Sequence, residues 1–159
     1  MVESHLAQSV AEEVVNMIKP HVRQILICGS LRRNAPEVHD IDIVVADPNE
    51  KFRHIMDEMK TSGGNLKYNM TCKGILVDVT VTTKELWGSA IMHFTGSKEF
   101  NIICRVIAKQ KGMKLSQNGL VDVVSGHIIA SKTETEVFKA LGIKYVAPAN
   151  RDSTFIVRE

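Results

Sequence analysis

The chain has 159 residues, 44% of them hydrophobic and 24% charged, with a formal net charge of +2, values that fit one domain or one domain with a small appendage. No apolar stretch approaches the roughly 20 residues that span a bilayer, and the N-terminus lacks the basic and apolar regions of a secretory signal. The three cysteines, Cys28, Cys72 and Cys104, include no CxxC pair, which argues against a disulfide framework or a zinc site. We therefore expect no membrane partner, no secretion and a reducing compartment.

The first half of the chain predicts alternating helices and strands. Apolar residues at helical spacing predict a helix over residues 4–18, ended by Pro20. The next expected elements are a strand over 24–28, a short helix over 31–33, a strand over 40–46, a helix from 47 to about 60, a turn over 62–65, and a hairpin with strands at 66–72 and 75–81.

The second half predicts short helices around a small set of strands. A helix over 85–92 is expected to be broken by 93–97, after which Ser97 can cap the next helix. Strands follow near 113–116, 120–124 and 128–130, and then a helix over 133–141 with Thr133 and Glu136 as a capping box and Gly142 at its end.

Charge differs between the two halves. Residues 1–90 carry ten Lys/Arg and twelve Asp/Glu, whereas residues 91–159 carry ten and six, so the net charges are −2 and +4. An acidic half beside a basic half is compatible with a metal site next to a polyanion-binding surface. A mildly basic half is also typical of an ordinary soluble surface.

Three carboxylates are the strongest chemical signal in the chain. Asp40 and Asp42 are two residues apart in a predicted strand, so both project from one face. Asp78 lies in the middle of another predicted strand, on a face with little other charge. Neighbouring carboxylates repel one another unless a cation neutralises them, and Mg²⁺ sites that work with phosphates use one or two carboxylates plus phosphate oxygens.

A glycine-serine segment precedes the first carboxylate pair, in the sequence GSLRRNAPEVHDID at residues 29–42. Gly29 permits close backbone approach, Ser30 offers an N–H and a hydroxyl to phosphate, and Arg33 can neutralise phosphate charge. Together with the carboxylates, this segment suits phosphoryl transfer to a hydroxyl, in which two metals about 4 Å apart clamp the attacking and leaving oxygens.

GSLRR followed by DID resembles the nucleotidyltransferase signature of the X-family DNA polymerases. HFTGSKEFN at 93–101 resembles the family segment that closes over the incoming nucleotide, and TETEVFKALGIKYVAPANRD at 133–152 resembles its C-terminal helix and tail. The resemblance is greatest to the short virus-encoded members. It implies an α/β (α+β) fold, with a nucleotidyltransferase palm built on a mixed β-sheet over residues 1–90 and a small C-terminal helix and β-hairpin subdomain over 91–159.

The resemblance assigns roles to individual residues. Asp40, Asp42 and Asp78 correspond to the metal-binding catalytic triad for two Mg²⁺ ions, with Mn²⁺ able to substitute, and Asp78 is the candidate general base. The nucleotide-binding residues that it implies are Gly29, Ser30, Arg33, His93, Phe94, Thr95, Gly96 and Asn101. The DNA-binding residues that it implies are Lys98, Arg105 and Lys109, which share one face of a predicted helix that is otherwise an ordinary solvated face.

Several residues depart from the family pattern. His93 stands where larger cellular members have Tyr, and Lys98 stands where an acidic residue is common. Leu76 and Thr80 flank Asp78 where some relatives carry arginines, which leaves open how that carboxylate is positioned. His39, beside the first metal ligand, either touches the triphosphate or packs against the protein. Because no segment precedes the first helix of this sequence, we expect polymerase activity without lyase activity.

The favoured function is template-directed addition of deoxynucleotides to a primer 3′ end, filling short gaps in DNA repair. The expected partners are dNTP and primer–template or gapped DNA, bound by a monomer in an intracellular, cytoplasmic or virus-associated location. The alternatives are a minimal nucleotidyltransferase acting on RNA ends, a protein or a small molecule, a template-independent terminal transferase, and a degenerate binding module without catalysis.

Overall fold

The computed structural model describes residues 2–152, 156 and 158–159. The chain folds as two compact units, Met1–Lys84 and Glu85–Glu159. Both units combine helices with strands, so the predicted α/β (α+β) class is confirmed. Across the described residues, no helix is both long enough and apolar enough to cross a lipid bilayer.

The first unit is built on a mixed sheet, as the sequence predicted, and this sheet has five strands. Its elements are β1 Val2–Glu3, α1 Ser4–Ile18, a 3₁₀ helix Lys19–His21, β2 Gln24–Ile27, α2 Gly29–Arg32, β3 Glu37–Val38, β4 Asp40–Ala46, α3 Glu50–Met59, β5 Ser62–Gly64, β6 Lys67–Cys72 and β7 Ile75–Thr82. The sheet order is β2-β4-β7-β6-β5, with β4 and β7 parallel and the other neighbours antiparallel.

One face of this sheet forms the hydrophobic core. Alternate residues of β4 and β7, among them Ile41, Ile43 and Val77, are buried with the apolar stripes of α1 and α3. Since side chains alternate between faces along a strand, this burial leaves the even-numbered residues of both strands on the other face. The core thereby fixes which face presents the carboxylates.

Two predicted boundaries in the first unit were wrong. Ser62–Gly64 was predicted as a turn but forms the edge strand β5, paired with β6. Ser and Gly have little preference for strands, so the sequence does not predict β5. The strand forms because its backbone pairs with that of β6. The short helix predicted over 31–33 begins at Gly29, directly after β2.

The second unit packs helices against a small antiparallel sheet. Its elements are α4 Trp87–Thr95, α5 Lys98–Gln110, β8 Met113–Ser116, β9 Gly119–Asp122, β10 Ile128–Ala130, α6 Glu134–Leu141 and a 3₁₀ helix Pro148–Asn150. The strands lie in the order β8-β9-β10. The apolar faces of α5 and α6 meet in one core through side chains such as Phe100, Cys104 and Phe138.

The helix ends of the second unit only partly match prediction. Ser97 and Thr133 cap α5 and α6 as expected, each accepting a hydrogen bond from the backbone N–H three residues later. The predicted break over 93–97 begins too early, because α4 continues through His93 and Phe94 to Thr95. The chain turns at Gly96, whose φ of 68° favours glycine.

Candidate active site

The register of β4 and β7 brings the three predicted carboxylates together on one face. Asp42 lies directly opposite Asp78 in this parallel pair, and Asp40, opposite Leu76, is two residues away on the same face. Neighbouring strands are separated by about 4.8 Å. The sheet therefore presents Asp40, Asp42 and Asp78 as neighbours, without any loop having to position them.

Burial and repulsion between neighbouring carboxylates disfavour the charged forms of Asp42 and Asp78. Burial raises the pKa of Asp42 to about 6, and repulsion from Asp40 and Asp78 adds to that rise. Burial also raises the pKa of Asp78, against a lowering effect of Lys67. Like charges in a partly desolvated place mark functional sites more often than structural ones.

Gly29 makes room for Asp42. The backbone N–H of Cys28 donates to the carbonyl of Asp42 at 2.7 Å, which sets the start of α2 against β4. Gly29 has a φ of 61°, and a Cβ atom there would lie 2.7 Å from Oδ2 of Asp42. Glycine is therefore required both by the backbone conformation and by the carboxylate that occupies the space of its missing side chain.

Two cations lie near this face, and the sequence prediction included one of them. Arg33, which follows α2, and Lys67 of β6 both lower the pKa of Asp42. Nζ of Lys67 is 3.9 Å from Oδ2 of Asp78. The signal for Lys67 was present, because a hairpin turn at residues 73–74 puts Asn69 opposite Asp78 and Lys67 two residues further along the same face.

The donor set fits a hard divalent cation. The carboxylates are adjacent, repulsion from Asp40 and Asp78 contributes to the raised pKa of Asp42, and Gly29 places no side chain in the space beside Oδ2 of Asp42. Within the part of the chain that the structure describes, no three His, Cys, Asp or Glu side chains are arranged to ligate a single ion. Mg²⁺ sites that work with phosphates use one or two carboxylates and complete the shell with water and substrate phosphate.

The exposure of His39 argues against the interpretation that its side chain packs against the protein. Its side chain is exposed, although the residues on either side of it are buried or half-buried. Contact of His39 with the triphosphate is the alternative that stays untested.

The second unit assembles a different group of predicted residues at the end of α4. The rings of His93 and Phe94 meet edge to face, with centroids 4.8 Å apart. Thr95 is fully buried, and its hydroxyl donates to the carbonyl of Ile91 at 2.5 Å. Thr95 therefore stabilises the last turn of α4, whereas both aromatic rings are half-buried.

Asn101 links α5 to α4. Its Nδ2 donates to the carbonyl of His93 at 2.8 Å. Both residues line a cavity together with Arg105, Ser89 and Ser116. Three of the predicted contact residues, His93, Asn101 and Arg105, are thus neighbours at one concave surface of the second unit.

The three predicted DNA contacts, including Arg105 at the edge of this cavity, lie on the outer surface of α5. Lys98, Arg105 and Lys109 are all exposed. Their shared face is basic and unobstructed by the hydrophobic core of the second unit, which the opposite face of the helix contacts. This arrangement suits contact with phosphates but assigns no sequence preference.

A buried ion pair, which the sequence prediction missed, supports the start of α5. The guanidinium of Arg151 is fully buried and bonds both carboxylate oxygens of Glu134, at 2.7 and 3.3 Å. The carbonyl of Arg151 accepts from the hydroxyl of Ser97 at 2.6 Å. The two charged residues are 17 positions apart and both are usually exposed, so hydropathy gives no sign that they are buried.

Comparisons with known proteins find DNA polymerases among the relatives of this chain. The model of the DNA polymerase beta thumb matches residues 90–152. DNA polymerase lambda of Rattus norvegicus is 29% identical over 79% of this chain, and the DNA polymerase/3′-5′ exonuclease PolX of Bacillus subtilis is 29% identical over 96%. Repair DNA polymerase X of African swine fever virus (strain Badajoz 1971 Vero-adapted) is 28% identical over 93% of both chains.

These relatives differ greatly in length. The chain spans only 28% of the lambda polymerase and 26% of the bacterial protein, but 93% of the viral one. The matches cover the carboxylate strands as well as the thumb-like second half. They confirm the predicted resemblance of this chain to X-family DNA polymerases, including the short virus-encoded members.

Proposed function

We propose that this chain is a DNA polymerase that adds a deoxynucleotide to a primer 3′-hydroxyl and fills short gaps during DNA repair. The observation that carries the proposal is the pairing of Asp42 with Asp78 in adjacent parallel strands, with Asp40 on the same face. The similarity to a viral repair polymerase over nearly the whole of both chains supports the repair context.

X-family polymerases are generally metal-dependent. In the proposed site, Asp40, Asp42 and Asp78 hold two Mg²⁺ ions, which would acidify the primer hydroxyl and neutralise charge on the triphosphate. Asp78, which the family resemblance implies as the general base, is the proposed proton acceptor, and burial raises its pKa. A carboxylate with a raised pKa accepts a proton more readily than an ordinary surface Asp.

The start of α2 is the proposed triphosphate site. Gly29 brings the backbone close to Asp42, so that phosphates bound at the helix start lie beside the carboxylates. Ser30 supplies a half-buried hydroxyl and a backbone N–H, and Arg33 a guanidinium. An N–H group with a nearby guanidinium is a common arrangement for binding phosphate.

The second unit provides the proposed contacts to sugar, base and DNA. Phe94 and Gly96 would pack on the sugar, and His93 and Asn101 would line the surface that contacts the nucleotide. The hydrogen bond from Asn101 to the carbonyl of His93 joins the two residues on that surface. Lys98 and Lys109 would contact DNA phosphates along α5, and Arg105 would reach the minor groove near the templating base. Because these contacts are mainly electrostatic, the affinity for DNA should fall steeply as salt is raised. A monomeric state and an intracellular location stay predictions.

Primer extension on a one-nucleotide gap tests the proposal. The same labelled primer is offered in the gap and as a single strand, with each dNTP and rNTP in turn, and with Mg²⁺, Mn²⁺ or EDTA. Addition of the complementary deoxynucleotide to the gapped primer, abolished by EDTA, is the expected result. Equal addition to the single strand whatever the template base would instead indicate a terminal transferase, and no transfer to DNA would contradict the proposal.

A further inference from the structure

Lys67 is the cation next to the carboxylate face that no predicted role includes. It begins β6, where it lies opposite Thr80 of β7, and its Nζ is 3.9 Å from Oδ2 of Asp78. The residues beside Asp78 on that face of β7, Leu76 and Thr80, are uncharged. The ammonium therefore approaches Asp78 from the neighbouring strand.

The two partners differ in their exposure. The side chain of Asp78 is 15% exposed and that of Lys67 is 51% exposed, so the carboxylate lies within the sheet face and the ammonium reaches it from the solvent side. A half-exposed lysine has room to swing away on its four-carbon stem. Ion pairs of this kind are weak compared with the attraction between two carboxylates and a divalent cation.

We propose that Lys67 is the resident counter-ion of the carboxylate face, and that a divalent cation displaces its ammonium from Asp78 on binding. The inference rests on the proposed metal site. In the metal-free protein, Lys67 offsets the repulsion among Asp40, Asp42 and Asp78. Its positive charge then competes with the incoming ion, so it stabilises the metal-free protein and weakens cation binding at the same time.

Titration of Mn²⁺ into the full chain, without nucleotide or DNA, tests the inference by calorimetry and by the electron paramagnetic resonance of free Mn²⁺. The variant Lys67→Met removes the charge and keeps the length, and Lys67→Arg keeps the charge. Lys60→Met is the matched control, because Lys60 pairs with Asp57 at 3.2 Å on α3. Asp42→Asn shows whether the Mn²⁺ binds at the carboxylate face.

Lys67→Met should bind Mn²⁺ about three- to tenfold more tightly than the wild type, the range expected of one partly screened charge pair. Its metal-free melting temperature should fall by about 2 to 5 °C. Lys67→Arg and Lys60→Met should leave Mn²⁺ affinity close to that of the wild type.

Unchanged or weaker Mn²⁺ binding by Lys67→Met, in a chain whose binding is lost in Asp42→Asn, would overturn the inference and leave the proposed metal site standing. Failure of the wild type to bind Mn²⁺, or binding that Asp42→Asn does not weaken, would overturn the inference and the proposed metal site together.

Discussion

The two units bury charge in opposite ways. In the first, Asp42 is buried beside Asp40 and Asp78, so that like charges face one another and the pKa of Asp42 rises to about 6. In the second, Glu134 is buried against Arg151, whose guanidinium lies 5.1 Å from the ring centroid of Phe138.

This difference distinguishes the carboxylate face, which has the features of a functional site, from the Glu134–Arg151 pair, which stabilises the fold. The opposite charges of Glu134 and Arg151 compensate each other, since the carboxylate has two guanidinium bonds, and Nε of Arg151 also donates to the carbonyl of Val146 at 2.9 Å. In the carboxylate face, by contrast, repulsion from Asp40 and Asp78 contributes to the raised pKa of Asp42. Such a face costs stability and gains from a bound cation, which is the behaviour expected of a catalytic centre.

The largest stability effect should come from breaking the matched pair. Arg151→Met leaves Glu134 buried without its partner and should lower the free energy of unfolding by about 3 to 5 kcal/mol. Urea unfolding followed through Trp87, the one tryptophan of the chain, reports on the second unit. Lys73→Met, which removes an exposed pair with Glu13, should leave that free energy nearly unchanged. A small loss in Arg151→Met would contradict the supporting role of the pair.

Removing a charge from the carboxylate face should raise the free energy of unfolding at neutral pH, whereas removing the charge of Arg151 should lower it. A carboxyl group whose pKa is higher in the folded protein favours folding at low pH, and this contribution is lost as the pH rises from about 3.8 to about 6. Asp42→Asn lacks the ionisation. Without metal it should therefore be more stable than the wild type at pH 7, by about 1 to 3 kcal/mol, with the difference disappearing near pH 4. Urea unfolding across this pH range, followed by circular dichroism, would refute the account if Asp42→Asn were the less stable protein at pH 7.

The space at Gly29 can be filled to test whether the first unit needs it. In Gly29→Ala, a Cβ atom would meet Oδ2 of Asp42 at 2.7 Å, and nucleotide incorporation should fall about ten- to a hundredfold. Gly74→Ala shares the positive φ but has nothing within 4 Å of the added atom, so it isolates the backbone strain from the contact. Equal losses of activity in the two variants would remove the special role of Gly29.

The smallest effect is expected at the nucleotide surface of the second unit. Asn101→Ala removes the hydrogen bond to the carbonyl of His93 and should raise the KM for dNTP about three- to tenfold with little change in kcat. Asn118→Ala, in an exposed turn, is the control. Steady-state kinetics on gapped DNA separate the two constants. A fall in kcat alone would place Asn101 with the chemistry of the first unit instead.

Sequence patterns within a single element predicted the strand faces and the hairpin, but not the end of α4. Alternation along β4 and β7 placed Asp42 and Asp78 on the polar face, and the Lys73-Gly74 turn gave the hairpin correctly. The extension of α4 was missed because His93 and Phe94 read as the start of a loop. Their helical hydrogen bonds end only where Gly96 adopts a positive φ.

Contacts between distant residues were predicted less well. The approach of Lys67 to Asp78 follows from the register of the predicted hairpin, whereas the burial of Arg151 depends on how Phe100 of α5 and Phe138 of α6 pack around its guanidinium. Single-residue hydropathy assigns both cations to the surface. The metal and phosphate chemistry of the site was predicted from the residues themselves, and the sugar, base and DNA contacts came from family resemblance. The structure adds the neighbours of those residues.

Incorporation of one nucleotide into gapped DNA by Asp42→Asn tests the central claim most directly. Asp57→Asn, which alters an exposed carboxylate on α3, is measured beside it as the control. If the carboxylate face is the catalytic centre, Asp42→Asn remains folded but loses activity by about a thousandfold or more, while Asp57→Asn keeps the wild-type rate. Wild-type incorporation by a folded Asp42→Asn protein would contradict the account.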